Sequence, residues 1–145
     1  MIKINHIAIV VHDLDEAQKF WVQALGMPLQ RVSQIDDEAV KVAFLAAGEG
    51  EIELLQPTDG ESGVARYLQK RGAGLHHLCL EVADIRASLE RLRAHEVELI
   101  NETARRSEDG RQYAFIHPRS TGGVLVELYQ LAEPSPDDAA VRGDE

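Results

Sequence analysis

The 145-residue chain has one cysteine, a shortage of positive charge and no long apolar run. A lone Cys79 excludes an internal disulfide and fits a reducing compartment. Because it lies inside an apolar strand pattern, it reads as a small buried hydrophobe rather than a nucleophile. With 15 Lys+Arg against 25 Asp+Glu, the formal net charge is −10, which argues against a nucleic-acid surface. An anionic small molecule is still allowed, but it would need local cations or a metal to offset the field. No stretch approaches bilayer-spanning length, so no membrane partner is expected. The first residues, MIKINHIAIVV, enter a strand pattern without the cleavage region of a signal peptide. The expected location is the cytoplasm.

What is present is an echo. HIAIVVHDL (His6 to Leu14) and HLCLEVADI (His77 to Ile85) each give a histidine, an alternating apolar run and an aspartate seven positions on. A helix-like segment follows each. The fold class read from this pattern is α+β: two tandem βαβββ modules forming a curled mixed sheet with a cleft. The modules cover about 4–57 and 75–131, joined by a helical linker at 58–74, within one domain over 1–131. Residues 132–145, EPSPDDAAVRGDE and its neighbour, read as an acidic, disordered tail.

In the first module, alternation puts His6, Ala8 and Val10 on one strand face. Asp13 and Glu16 form a capping-box-like start to a helix that Gly26 stops, with Phe20 and Trp21 as core anchors. Strands are expected at 29–33, 40–46 and 51–57, the last carrying Glu53 amid apolar neighbours. The second module repeats the order: a strand at 77–82, a helix capped by Asp84, a short strand VELI and a polar loop TARRSEDGRQ. Strands YAFIHP and VLVELYQL complete it, and Glu127 falls where Glu53 stood. Strict alternation would aim His76 at the face opposite His77. His12, His95 and His117 have no mirrored partner.

Four residues therefore recur as matched pairs: His6 with His77, and Glu53 with Glu127. Each alone also reads as a packed histidine or a solvent-facing glutamate, and it is the recurrence that favours a metal site. Two imidazoles and two carboxylates cancel a divalent charge and suit Mn, Co, Ni, Zn or Fe better than calcium.

These residues, with the stretches HIAIVV, VKVAFLAAGEGEIELLQP, GLHHLCLEVADI and HPRSTGGVLVELYQ, resemble the vicinal oxygen chelate superfamily. Within it they resemble the methylmalonyl-CoA epimerase family, over roughly residues 4–131. The resemblance implies an isomerase interconverting the (R) and (S) forms of methylmalonyl-CoA by α-proton abstraction through a metal-stabilised enolate. It implies a divalent ion (Co, Mn, Ni or Zn) on His6, Glu53, His77 and Glu127, an acyl-CoA substrate and a homodimer. One proton-transfer group in that family is the last ligand, here Glu127. The other, in some members, is a strand glutamate whose place here is Val40-Lys41-Val42, without a carboxylate. Glu38, at the strand's mouth, and Lys41 are the remaining candidates. Arg105, Arg106 and Arg111 are candidate phosphate contacts in a loop that otherwise reads as solvated. The rival readings are a glyoxalase I, disfavoured by Pro57 where an asparagine is typical, and a non-catalytic binding protein of the same fold. An extradiol dioxygenase ranks last.

Overall fold

The computed structural model describes residues 1–133, so the tail expected from residue 132 falls almost wholly outside the described residues. Strand β1 (Lys3–Val10) leads into α1 (Leu14–Gln18), then β2 (Leu29–Ile35), β3 (Val40–Ala47) and β4 (Gly50–Pro57). Helix α2 (Gly63–Arg71) connects to β5 (Gly74–Glu81), α3 (Ile85–Ala94), β6 (Arg105–Arg106), β7 (Gln112–Ile116) and β8 (Val126–Gln130). All strands join one open sheet in the order β2-β3-β4-β1-β5-β8-β7-β6. The order is a palindrome of module elements about the β1–β5 seam. β1 runs parallel to β4, β5 runs parallel to β8, and β1 meets β5 antiparallel.

The modules match in their smallest devices. Asp13 and Asp84 accept from the backbone N–H of Glu16 and Ala87, capping α1 and α3. A further first-turn N–H of each helix is taken by a glutamine side chain from the module's last strand. Leu14 N–H donates to Gln56 Oε1 and Ile85 N–H to Gln130 Oε1, each at 2.8 Å. These bonds lock each helix onto its own sheet half, and they answer backbone donors that burial would leave unpaired.

Apolar side chains settle on both faces. Leu14, Ala17 and Trp21 pack on Ala43, Leu45 and Leu54, while Ile85 and Leu89 pack on Ala114, Ile116 and Leu128. On the other face Ala8, Val40, Val42, Phe44 and Leu55 form a cluster capped by Val64 of α2.

Two expected details differ. Phe20 is no core anchor: it is 56% exposed and meets Trp21 edge to face. The cause is local. After Gln18 the helix widens into a π-turn over Lys19–Ala24, with Leu25 N–H bonded to the Phe20 carbonyl, and the apolar stripe rotates off its 3.6-residue course. Gly26, at φ +84, then ends the helix as expected. The expected strand VELI is reduced to one bridge, Leu99 to Ile116, and pairing resumes only at Arg105–Tyr113. The polar loop thus contains β6, because extra residues between the two contacts bulge out of the ladder.

Leu54 is fully buried in the helix-side core, so Leu54→Ala is expected to cost about 2–5 kcal/mol of unfolding free energy. Phe20→Ala is expected to cost about 0.5–1.5 kcal/mol, the worth of one aromatic pair. Denaturant titration of both variants separates a core anchor from a surface ring.

Candidate metal and proton-transfer site

The seam places the two histidines. His6 pairs with Cys79 and Ala8 with His77, so paired residues share a face and both imidazoles stand on the side away from α1 and α3. Glu53 lies beside Ala8 on β4, and Glu127 beside Cys79 on β8. Four polar side chains from the two modules therefore converge at the centre of the sheet.

Their atoms meet. His6 Nε2 lies 2.8 Å from Glu53 Oε2, 3.0 Å from His77 Nε2 and 3.5 Å from Glu127 Oε2. His77 Nε2 lies 3.0 Å from Glu127 Oε2. Among the described residues, donors of His6, His77 and Glu127 gather with all ligand atoms within 4.8 Å of one another. Glu53 touches His6 from the edge of that set. An octahedral cation with bonds of about 2.1 Å has adjacent donors about 3.0 Å apart, so these spacings fit such an ion.

Charge agrees with spacing. Burial pushes the Glu127 carboxyl up, but hydrogen bonds with His6 and His77 outweigh it and hold it down at about 2. Burial opposes a charge on His6, yet hydrogen bonds to Cys79, Glu127 and Glu53 raise it to about 12. The cluster is built to hold positive charge between its carboxylates, and a divalent cation is a chemically matched occupant. Cys79 lies fully buried beneath His6, with its thiol pushed up to about 11 by burial. That fits a packed residue rather than a nucleophile.

The expectation for His76 fails. Its Nδ1 lies 2.7 Å from His77 Nδ1 instead of facing the other way. The ladder explains this: Ala8 pairs with His77 but Ile9 with Leu75, so His76 is the extra residue of a β-bulge. A bulge re-aims its side chain against the simple alternation. The mirror event occurs in β1, where Ile4 pairs with Leu80 and His6 with Cys79, leaving Asn5 extra. Asn5 Oδ1 lies 2.8 Å from His6 Nδ1. Neither contact is visible in pleat alternation, although Asn5 and His76 hold the same place in the repeat. Burial and the neighbouring His77 lower His76 to about 4.

The two candidate acid/base groups separate. Lys41 alternates with Val40 and Val42 and pairs with Gln56, which puts it on the helix side of the sheet, exposed and away from the cluster. Glu38 ends a short 3₁₀ turn, Asp36–Glu38, and is exposed at the cleft mouth. Its carboxyl is raised above the ordinary glutamate range, first by desolvation on its protein side, then by repulsion from Glu127 and Glu53. Arg105 and Arg106 are exposed in β6. Arg111 is engaged by Asp109 at 2.5 Å and stacks over Tyr129, whose ring meets His6 edge-on at 6.3 Å. His12 and His95 are exposed, and His117 Nδ1 accepts from Arg119 N–H, so none of the three joins the site.

The Glyoxalase/Bleomycin resistance protein/Dioxygenase superfamily model matches residues 5–115, and the chain belongs to that superfamily. Within it, the chain is similar to the mitochondrial methylmalonyl-CoA epimerase of Mus musculus, 36% identical over 129 residues (88% of this chain, 72% of that protein). It is also similar to the structure of methylmalonyl-CoA epimerase from Mycobacterium tuberculosis, with TM-score 0.79 and 40% identity over 94% of this chain and 91% of that one. A methylmalonyl-CoA epimerase solved with methylmalonyl-CoA and NH4+ gives TM-score 0.80 at 30% identity, covering 91% of this chain and 96% of that one. No described helix is long and apolar enough to cross a membrane.

A carboxyl whose folded pKa is raised destabilises the fold at pH values above it, and that penalty disappears once the group is protonated in both states. Glu38→Gln is therefore expected to stabilise chelator-treated protein at pH 7 and raise its melting temperature, the gain in unfolding free energy being less than about 1 kcal/mol because the group is exposed. The gain should vanish below about pH 4, under the ordinary glutamate value. Melting curves at both pH values check it.

Proposed function

We propose that the chain is a divalent-metal-dependent epimerase interconverting (R)- and (S)-methylmalonyl-CoA. The observation that carries the reading is the convergence of His6, His77 and Glu127, edged by Glu53, with a third carboxylate, Glu38, at the mouth of the same cleft. The named relatives supply the substrate class. His6, Glu53, His77 and Glu127 would hold the ion, Co, Mn, Ni or Zn. When bound, such an ion supplies Lewis-acid stabilisation for negative charge growing on a thioester oxygen.

The chain's own groups do the proton work. The hydrogen α to a thioester is weakly acidic, and inversion needs its removal from one face and a proton's return to the other. Glu127, held ionised, is in the proton-accepting form at neutral pH. Glu38, raised by its surroundings, is the more readily protonated of the two. Environments that push two carboxyls apart in this way support an acid/base pair. Phe115, edge-on to His77 at 5.6 Å, and Tyr129 flank the histidines with aromatic surface.

The test is deuterium wash-in at the α carbon of methylmalonyl-CoA in D2O with added Co2+ or Mn2+. Exchange together with interconversion of the two epimers is expected. Glu127→Gln should abolish it, and Glu38→Gln should slow it by roughly 10²–10⁴-fold, the usual range for a general acid/base. No exchange with any divalent metal, alongside turnover of the methylglyoxal–glutathione adduct, overturns the assignment in favour of a glyoxalase.

A further inference from the structure

Each candidate metal-binding histidine has a partner at its far nitrogen, and the two partners share an origin. Asn5 and His76 each precede a ligand histidine, and each is the unpaired residue of a β-bulge in the β1–β5 seam. Without the bulges, alternation would put both side chains on the opposite sheet face. With them, each side chain turns to the ring of its neighbour: Asn5 Oδ1 at 2.8 Å from His6 Nδ1, and His76 Nδ1 at 2.7 Å from His77 Nδ1.

The chemistry of the acceptors sets the tautomers. The Asn5 amide nitrogen donates to Glu81 Oε2 at 3.4 Å, which leaves its oxygen toward His6. An amide oxygen can only accept, so His6 carries its proton on Nδ1. At His76, one proton lies between two Nδ1 atoms. Placed on His77, it frees the Nε2 that sits 3.0 Å from Glu127. The bulge at His76 is itself tied down, since the Tyr67 hydroxyl of α2 donates to the Leu75 carbonyl at 2.6 Å and its ring packs edge-on to His76 at 4.7 Å. Asn5 and Glu81 thus do at His6 what His76 and Tyr67 do at His77.

We propose that Asn5 and His76 are paired positioning residues: each accepts the Nδ1–H of the following histidine, so that His6 and His77 both present Nε2 lone pairs to a shared cation. This inference rests on the metal reading above. It also makes a demand that a packing role does not, because either hydrogen-bond acceptor should serve at either bulge. Removing an outer partner of a metal-bound histidine typically costs 10–100-fold in metal affinity.

The experiment titrates the chelator-treated full chain with Co2+, following visible absorbance and heat, for wild type, Asn5→Ala, His76→Ala and His76→Asn. Melting of each metal-free protein is recorded alongside. Expected are a 10–100-fold loss of Co2+ affinity in both alanine variants, metal-free melting close to wild type, and recovery of most of the affinity in His76→Asn, which restores the amide acceptor used at Asn5. Alanine variants that bind Co2+ as tightly as wild type, or His76→Asn no better than His76→Ala, overturn the positioning role while leaving the metal site standing. A wild type that binds no Co2+ overturns the metal reading and this inference with it. Ring-nitrogen NMR of the Zn2+-loaded wild type gives a readout free of variants. Protonated Nδ1 and metal-shifted Nε2 are expected on both His6 and His77, and a metal-shifted Nδ1 on either overturns the proposal.

Discussion

Everything at the site depends on one strand pairing. β1 and β5 run antiparallel at the middle of the sheet, and their register sets His6 against Cys79 and Ala8 against His77. Side chains two apart on one strand share a face, so this single register brings both imidazoles to the same side and 3.0 Å apart at Nε2. Slipping the seam by one residue would send one histidine into the helix-side core, where no carboxylate waits. The outer strands then follow from each module's own parallel pairing, which lays Glu53 beside Ala8 and Glu127 beside Cys79.

Such a concentration of polar groups is costly to bury, and the sheet offsets the cost locally. Glu127 and His6 are both buried, and each is satisfied by the other's module as well as its own. Breaking one member would leave an unpaired buried charge, which is a larger penalty than the pair's net contribution. Around the cluster the sheet is apolar: Phe44 pairs with Glu53 and Phe115 with Glu127, so each carboxylate has an aromatic ring beside it on the neighbouring strand. Glutamine side chains at Gln56 and Gln130 meanwhile anchor the helices on the opposite face. One strand in each module thus serves the site with its odd positions and the helix with its even ones.

Much of this was legible in the residues. The tandem βαβββ order, both helix caps and the meeting of His6, His77 and Glu127 with Glu53 at their edge follow from periodicity and repeat register, signals that depend only on sequence spacing. The misreadings share a different cause. Phe20, His76 and the strand VELI each depend on an inserted residue, whether the π-turn after Gln18, the bulge at His76 or the bulge before Arg105. An insertion shifts phase without changing composition, so a periodic template continues through it in the wrong register. Lys41 differs: alternation puts it on the face shared with Ala43, and only the pairing of β3 with β4 shows that face to be the helix side.

Duplication raises a problem that the four candidate ligands do not answer. Two equal modules give a near-symmetric site, whereas inverting a carbon calls for two proton-transfer groups on different sides of it. The turn before β3 in module one, Asp36–Glu38 followed by Ala39 at φ +51, has its counterpart before β7 in Ser107–Asp109 followed by Gly110 at φ +84. Each is closed by the same backbone bond, Ala39 N–H to the Asp36 carbonyl and Gly110 N–H to the Ser107 carbonyl. Glu38 and Asp109 therefore stand at equivalent mouths of the sheet, one acid per module. Asp109 is committed: it accepts from Ser107, faces Arg111, and is held below the ordinary aspartate value mainly by the Ser107 hydroxyl. Glu38 has no such partner among its described hydrogen bonds, and desolvation, followed by repulsion from Glu127 and Glu53, raises it instead. The same backbone device has been turned to two ends, a fixed loop anchor in one module and an available carboxyl in the other. Under the proposed reaction this asymmetry, rather than the shared candidate ligand set, would decide which side of the cleft can exchange a proton with substrate.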